Sequence, residues 1–295
     1  MRVAIVEVGS NTARLLVAAV GRDGALEPLA RQKVFLGLGA EIAATGTLSP
    51  ETVARTASVC SDFATRAREA SVERAEVIVT APGRQGGATG LVSALRAGTG
   101  LHVRTLTADD EGRLAFEGAV ARADRNLPDR VAVVDVGGGS TEVVVGPPSQ
   151  AQWVRSVDLG SLRLTRLALP NDPPSKREVA AARTLVREML GPLRPPRPQL
   201  ALASGGSARA LARLVGTRLG PDEVDRAIDA FRRRRSAKVA RAAGIDERRA
   251  PTVLAGALIL REAQRALDRP LRLARGGLRE GAALSLAREA PAAAA

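Results

Sequence analysis

The chain has 295 residues, 45% hydrophobic and only 2% aromatic, and a formal net charge of +13 that is almost all arginine. That length allows two domains of ordinary size with cores of Val, Leu, Ile and Ala. The basic excess fits an anionic partner (nucleic acid, acidic lipid or a polyphosphate) or a solvated arginine-rich surface. A lone cysteine, Cys60, and a lone histidine, His102, exclude an intrachain disulfide, a histidine-rich metal cluster and Ser-His or Cys-His nucleophile pairs.

Val3 to Val8 predicts a buried strand ended by Gly9, and Arg14 to Val20 a second strand after a tight turn. The opening MRVAIVEVGS lacks the apolar stretch of a signal peptide, and no apolar run approaches a membrane span, so a cytoplasmic protein without membrane contact is expected. Ser49-Pro50-Glu51 reads as a helix start, followed by Val53, Ala57, Cys60, Phe63, Ala64 and Ala67 at helical spacing. Cys60 lies on that apolar stripe and reads as a core thiol rather than a reactive one. Glu76 to Thr80 predicts a strand, Pro82 to Gly90 a Gly-rich loop, Arg104 to Leu106 a strand edge, and Thr107 the start of a helix. After a polar connection over Arg122 to Asp129, strands are predicted at Val131 to Val136, Glu142 to Val145 and Gln152 to Val157. The remainder has a helical pattern broken by Gly205-Gly206 and Gly276-Gly277, with a disordered tail over 291–295. The run Arg232 to Arg235 reads as an exposed helix face. Its only aromatic neighbour is Phe231, so the interleaving that stacks bases is missing and nucleic acid is disfavoured.

One layout occurs twice. VAIVEVGSNT at residue 3 and VAVVDVGGGST at residue 131 each give a β-branched strand ending in a carboxylate, then Gly, then hydroxyl side chains, then another strand. This self-similarity predicts a duplicated α/β domain with a cleft between the halves, the first domain over 1–122 and the second over 123–290.

A Gly-rich turn lets backbone N–H groups converge on phosphate oxygens, and a carboxylate at a strand end can hold Mg²⁺ directly or through water. Taken as a pair, the loops predict phosphate binding, with Glu7, Asp135 and Glu142 near the metal. The sequence has no G-x-x-x-x-G-K-[ST] or completed G-x-G-x-x-G, which excludes a Walker loop and disfavours a dinucleotide fold. Thr107-Ala108-Asp109-Asp110-Glu111 permits two readings. It is an ordinary acidic helix start, or it presents a carboxylate to the cleft as general base on water.

VEVGSNTARLLV and VDVGGGSTEVVVG resemble the two phosphate loops of the exopolyphosphatase / guanosine pentaphosphate phosphatase family. LTADDEGRLAFEGA, SVDLGSLRLTRL with NDPP, ALASGGSARALARL and ARGGLREGAAL are similar to further segments of that family, in the family's order and over nearly the whole chain. The resemblance implies duplicated actin-like ATPase (ribonuclease H-like) domains in the short, two-domain form. It implies a first phosphate loop at Gly9, Ser10 and Asn11, a phosphate-contacting Arg84, and a catalytic Glu111 with Asp110 beside it. The second loop falls on Asp135, Gly137, Gly138, Gly139, Ser140, Thr141 and Glu142. Gly205, Gly206 and Ser207 correspond to the superfold's nucleotide-side loop. Glu7 stands where the family carries Asp, Ala88 where it carries Asn and Gly112 where it carries Ala. These departures bear on rate and substrate choice more than on fold.

The expected activity is Mg²⁺-dependent release of terminal phosphate from inorganic polyphosphate. Guanosine pentaphosphate is the alternative substrate. A phosphate-binding or nucleotide-binding sensor with little catalysis is the alternative of another class. A homodimer is left open.

Overall fold

Val3, Ala4, Ile5, Val6 and Val8 are all fully buried, which places the first strand, β1 (Arg2–Val8), in the middle of a sheet with both faces covered. The computed structural model describes residues 1–84, 88–124 and 126–289. It divides into two units, one of Met1–Arg122 with Leu278–Ala295, the other of Ala123–Gly277.

In the first unit β1 turns at Gly9 into the antiparallel β2 (Thr12–Val20), with Glu7 opposite Arg14. β2 pairs in turn with the edge strand β3 (Leu26–Phe35), which leads into the short helix α1 (Leu38–Thr45). In α2 (Pro50–Glu69) the Ser49 hydroxyl accepts from the Thr52 N–H and Pro50 opens the first turn. β4 (Arg74–Val79) runs parallel to β1, followed by α3 (Ala81–Arg84) and α4 (Ala88–Thr99). β5 (His102–Thr105) lies parallel to β4 and leads into α5 (Ala108–Ala121). The strand order is β3-β2-β1-β4-β5. Ala4, Val6 and Val8 pack on one face against Cys60, Phe63, Leu91 and Leu95 of α2 and α4. Val3 and Ile5 pack on the other against Leu114 and Ala115 of α5.

The second unit repeats the wiring. β6 (Val131–Val136), β7 (Thr141–Gly146) and β8 (Trp153–Val157) form an antiparallel meander, then come α6 (Ser161–Ala168) and α7 (Lys176–Leu190). β9 (Leu200–Ser204) returns parallel to β6 and opens into α8 (Gly205–Val215). The two-residue β10 (Arg218–Leu219), α9 (Pro221–Arg233), α10 (Ser236–Ala242), α11 (Ala250–Leu267) and β11 (Leu271–Leu273) complete the unit. The strand order is β10-β11-β9-β6-β7-β8. A meander of three strands, then parallel strands added beside the first, is common to both sheets, and this is the duplicated actin-like ATPase architecture. α11 is the core helix, with Val253, Ala255, Ala257, Ile259 and Leu260 all fully buried.

The chain then returns to the first unit as α12 (Leu278–Arg288). Leu278, Ala282, Ala283 and Leu286 join Val3 and Ile5 in one core. Gly281 lies so close to the Leu114 carbonyl of α5 that any Cβ would strike it. The sequence expectation of a second domain over 123–290 is corrected here. The small residues of GLREGAAL suit a close crossing with α5, and that crossing is in the first unit.

Other expectations also change. Gly205 and Gly206 open a helix rather than break one. Within Pro82 to Gly90, residues 82–84 and 88–90 are helical, and 85–87 lie outside the described residues, as do the expected disordered tail at 291–295 and the side chain of Ala88. In the arginine run, Arg232 and Arg233 end α9, Arg234 is extended and Arg235 precedes α10, so the four do not form one helix face. No helix of the described residues is long and apolar enough to cross a membrane.

Candidate active site

The loop between β6 and β7 is held by its carbonyls. Gly137 N–H donates to the Ser140 carbonyl at 3.0 Å. The Gly137 carbonyl accepts from both the N–H and the hydroxyl of Ser161, and the Gly138 carbonyl from the N–H groups of Leu162 and Arg163. These donors are the first turn of α6, whose amides have no partner within their own helix. The close approach requires Gly160, where a Cβ would run into the backbone of Gly138 and Gly139. With the carbonyls turned to α6, the amides of Gly138, Gly139 and Ser140 meet no backbone acceptor among the described residues. Such a row of amides is an anion-binding nest.

The loop between β1 and β2 is built alike. Gly9 N–H donates to the Thr12 carbonyl at 3.0 Å, the counterpart of the bond across Gly137 and Ser140. The Ser10 carbonyl accepts from Gly39 N–H in α1, and the Asn11 carbonyl from Leu36 and Gly37. The amides of Ser10 and Asn11 again meet no backbone acceptor among the described residues. Arg14 Nε donates to the Thr12 hydroxyl at 3.1 Å and braces the turn.

The carboxylates have different surroundings. Asp135 is half-buried at the end of β6, in register with Glu142 on β7 and Ser204 on β9. Glu142 is buried and accepts from the Ser156 hydroxyl at 2.8 Å. The Thr141 hydroxyl donates to the Leu159 carbonyl at 2.7 Å and is fully buried, so it serves the loop's scaffold rather than a ligand. Glu7 in the first unit accepts from Arg279 Nη1 at 3.2 Å, and both side chains are largely buried. Arg279 comes from α12 and was given no role by the sequence. It shares the Glu7 charge expected to go to a metal.

Glu111 is buried in the first turn of α5, and Arg84 Nη1 donates to it at 2.9 Å and to the Leu106 carbonyl at 3.0 Å. Arg84 ends α3 and Glu111 opens α5, and these helices follow the adjacent parallel strands β4 and β5, which deliver both to the same end of the sheet. Asp110 is engaged otherwise: its N–H donates to the Thr107 hydroxyl, which donates to the Asp110 carboxylate at 2.7 Å. The capping reading therefore describes Asp110, and Glu111 is the acid set apart from it.

Gly205 adopts φ +85°, open to glycine and strained for other residues, and a Cβ there would meet the Asp135 carboxylate and the Val136 carbonyl. Ser204 and Ser207 have buried hydroxyls without a hydrogen-bond partner. Ser207 packs against Gly256 of α11, and the Arg249 guanidinium lies over Gly206.

Among the described residues no three His, Cys, Asp or Glu side chains gather as a metal-ready group. Mg²⁺ takes one or two carboxylates, keeps several waters and takes the rest of its ligands from substrate phosphates. Asp135, with Glu142 beside it and the unpartnered Ser204 hydroxyl on the next strand, is a donor set of that kind.

The model of the Ppx/GppA phosphatase family matches residues 16–290. Exopolyphosphatase 1 of Mycobacterium tuberculosis is 32% identical over 300 residues, covering 95% of this chain and 87% of that one. The crystal structure of the Aquifex aeolicus Ppx/GppA family member is similar with a TM-score of 0.83 at 27% identity, over 97% of both chains. An exopolyphosphatase structure from Cytophaga hutchinsonii, at 20% identity and a TM-score of 0.86 over 95% of this chain and 96% of that one, shares the fold.

Proposed function

The chain belongs to the Ppx/GppA phosphatase family, and from that premise we propose that it is an exopolyphosphatase, a hydrolase releasing the terminal phosphate of inorganic polyphosphate. The observation that carries this reading is the shared construction of the two loops. Each gives its carbonyls to neighbouring amides, chiefly at a helix start, and so presents its own amides at residues 10–11 and 138–140 as anion donors.

In the proposed reaction Glu111 accepts a proton from a water molecule. The water oxygen attacks the terminal phosphorus, the anhydride P–O bond breaks, and the shorter polyphosphate leaves. Arg84 fixes the orientation of Glu111 and has further N–H groups for the phosphate oxygens. The loop amides stabilise charge on the equatorial oxygens without reorganising, which is where most catalysis of phosphoryl transfer resides. Asp135, supported by Glu142, would hold Mg²⁺, which offsets phosphate charge when bound. Asn11, Ser10 and Ser140 fit as phosphate contacts. Gly205 and Gly206 serve by keeping the backbone close to Asp135 and Arg249.

The test is phosphate release from long-chain polyphosphate and from guanosine pentaphosphate, with and without Mg²⁺, by the wild type and by Glu111→Gln. The expected result is Mg²⁺-dependent release from polyphosphate, lowered about 10²–10⁴-fold by the substitution, with retained binding and melting temperature. A wild type that binds polyphosphate without releasing phosphate would make the chain a sensor. Release from the nucleotide alone would make it a pentaphosphate phosphatase.

A further inference from the structure

Away from the β6–β7 loop, the second unit carries a ladder of shared charges on three helices. Asp225 of α9 lies 3.1 Å from Arg261 Nε and 4.0 Å from Arg183 Nη2. Glu262 of α11 lies 3.2 Å from Arg265 Nη1 and 3.5 Å from Arg187 Nε. Arg183 and Arg187 are successive turns of α7, and Arg261 and Arg265 successive turns of α11, so the clusters repeat about 6 Å apart along the helices. Each carboxylate is shared by two guanidinium groups, so each cluster keeps one positive charge. The pattern recurs at the end of α9, where Asp229 lies 3.1 Å from Arg232 and 3.7 Å from Arg233.

The Asp225 and Glu262 clusters line a groove of about 190 Å³ together with Asp229, whose arginine partners are not part of its lining, and Leu258 is its one apolar lining residue. Arg187 and Arg265 are 50% and 45% exposed there, and a guanidinium has five N–H donors, more than one shared carboxylate engages. The Asp225–Arg183 pair is 46% and 42% exposed, and such exposed pairs contribute little to stability, so holding the fold together is a weak reason for the second arginine there.

We propose that this groove is a second, non-catalytic docking site for inorganic polyphosphate, taking a part of the anion remote from the phosphate being cleaved. A linear polyanion with a charge on every repeat matches a ladder of surplus positive charges, and bidentate guanidinium groups suit phosphate oxygens. The groove has no aromatic side chain on which a nucleobase could stack. Its distance from the phosphate loop is set by α11. Gly256 lies against Ser161, which ties down Gly137, and Arg261 and Arg265 follow about 7 and 14 Å further along that helix. The choice of polyphosphate rests on the reading under Proposed function. The groove itself does not depend on Glu111 or on turnover.

The experiment measures binding of long-chain polyphosphate and of tripolyphosphate over a range of salt, in the full chain carrying Glu111→Gln. Arg183→Gln, Arg187→Gln and Arg265→Gln are combined and compared with the same three positions changed to Lys. The Gln variant is expected to bind the long chain about tenfold or more weakly, with a salt dependence flatter by about two in log–log slope. Tripolyphosphate binding should be unchanged, and the Lys variant should keep most of the long-chain affinity. Unchanged long-chain affinity in the Gln variant overturns the proposal. So does loss in both variants with a lowered melting temperature, which would make the ladder structural. Single-stranded RNA that binds as tightly as polyphosphate and is lost in the Gln variant would make the groove a nucleic-acid surface and also overturn it. Because binding is read without turnover, a wild type that releases no phosphate would sink the catalytic reading and leave this test intact.

Discussion

Gly205 shows how much one missing Cβ does at this site. Its φ of +85° and its contact with the Asp135 carboxylate exclude any other residue without movement of β6 or α8. Gly205→Ala should lower the melting temperature by several degrees and reduce phosphate release together, read by thermal unfolding and a phosphate assay. A normal rate in a destabilised variant would detach Asp135 from the chemistry. Cys60 is a contrasting case, in which burial pushes the thiol up to about 12. It should therefore resist alkylation near pH 8.5 in the folded protein and react once urea unfolds it, as followed by mass spectrometry. Cys60 was legible in the sequence because its position on an apolar helical stripe already implies burial. Glu111 was singled out by resemblance, with Asp110 beside it, and the structure shows the local contact that distinguishes the two acids, since Thr107 holds Asp110. Arg279 and Gly160 were not legible in their roles. Each matters through a contact with residues far along the chain, Glu7 and Gly138, and no local pattern encodes such a contact.

Among the elements, the helices that follow the third strand of each sheet set the loops. α6 does so in the second unit through Gly160, so Gly160→Ala should push the loop out of register with its donors. A fall in phosphate affinity and turnover is expected, exceeding what the loss in melting temperature explains. Full activity in Gly160→Ala would show that the α6 contact is dispensable. The counterpart in the first unit, β3 with α1, was missed in the sequence. β3 is an edge strand with mostly exposed or half-buried residues, so it lacks a clear two-residue alternation, and α1 has only eight residues and no side-chain cap. β9 was absorbed into a helical pattern because LALAS is rich in Ala and Leu. α7 begins with a capping box, Ser175 with Glu178, and its hydrogen bonds from the Ser175 backbone and hydroxyl hold the Glu178 carboxyl below its ordinary value of 4.5. A lowered carboxyl stabilises the fold above its unfolded value, and the gain is lost as pH falls through the folded value. The difference in melting temperature between wild type and Glu178→Gln should thus be present near neutrality and vanish in acid below 4.5. A difference that persists there would mean the box acts through shape rather than charge.

In the molecule as a whole, the duplication was legible because two strand–carboxylate–glycine segments repeat within one chain. The division of the chain between the units was not, since nothing in ARGGLREGAAL marks the return to the first unit. The α5–α12 crossing there is tight, and Gly281→Val should cost about 1–3 kcal/mol or more through overpacking against the Leu114 carbonyl. Chemical denaturation would measure it, and an unchanged midpoint would mean the helices separate freely. The return of α12 also has a consequence for the order of events on the ribosome. β1 emerges early, but Leu278, Ala282, Ala283 and Leu286 of the core over Val3 and Ile5, and the partner of Glu7, arrive only with α12. The second unit, continuous in sequence, is at liberty to fold while the first waits with one sheet face only partly covered, exposed to chaperones and proteases. A nascent chain stalled before α12 should therefore hold Glu7 unpaired and be hydrolytically silent, which ties the onset of activity to the arrival of that helix.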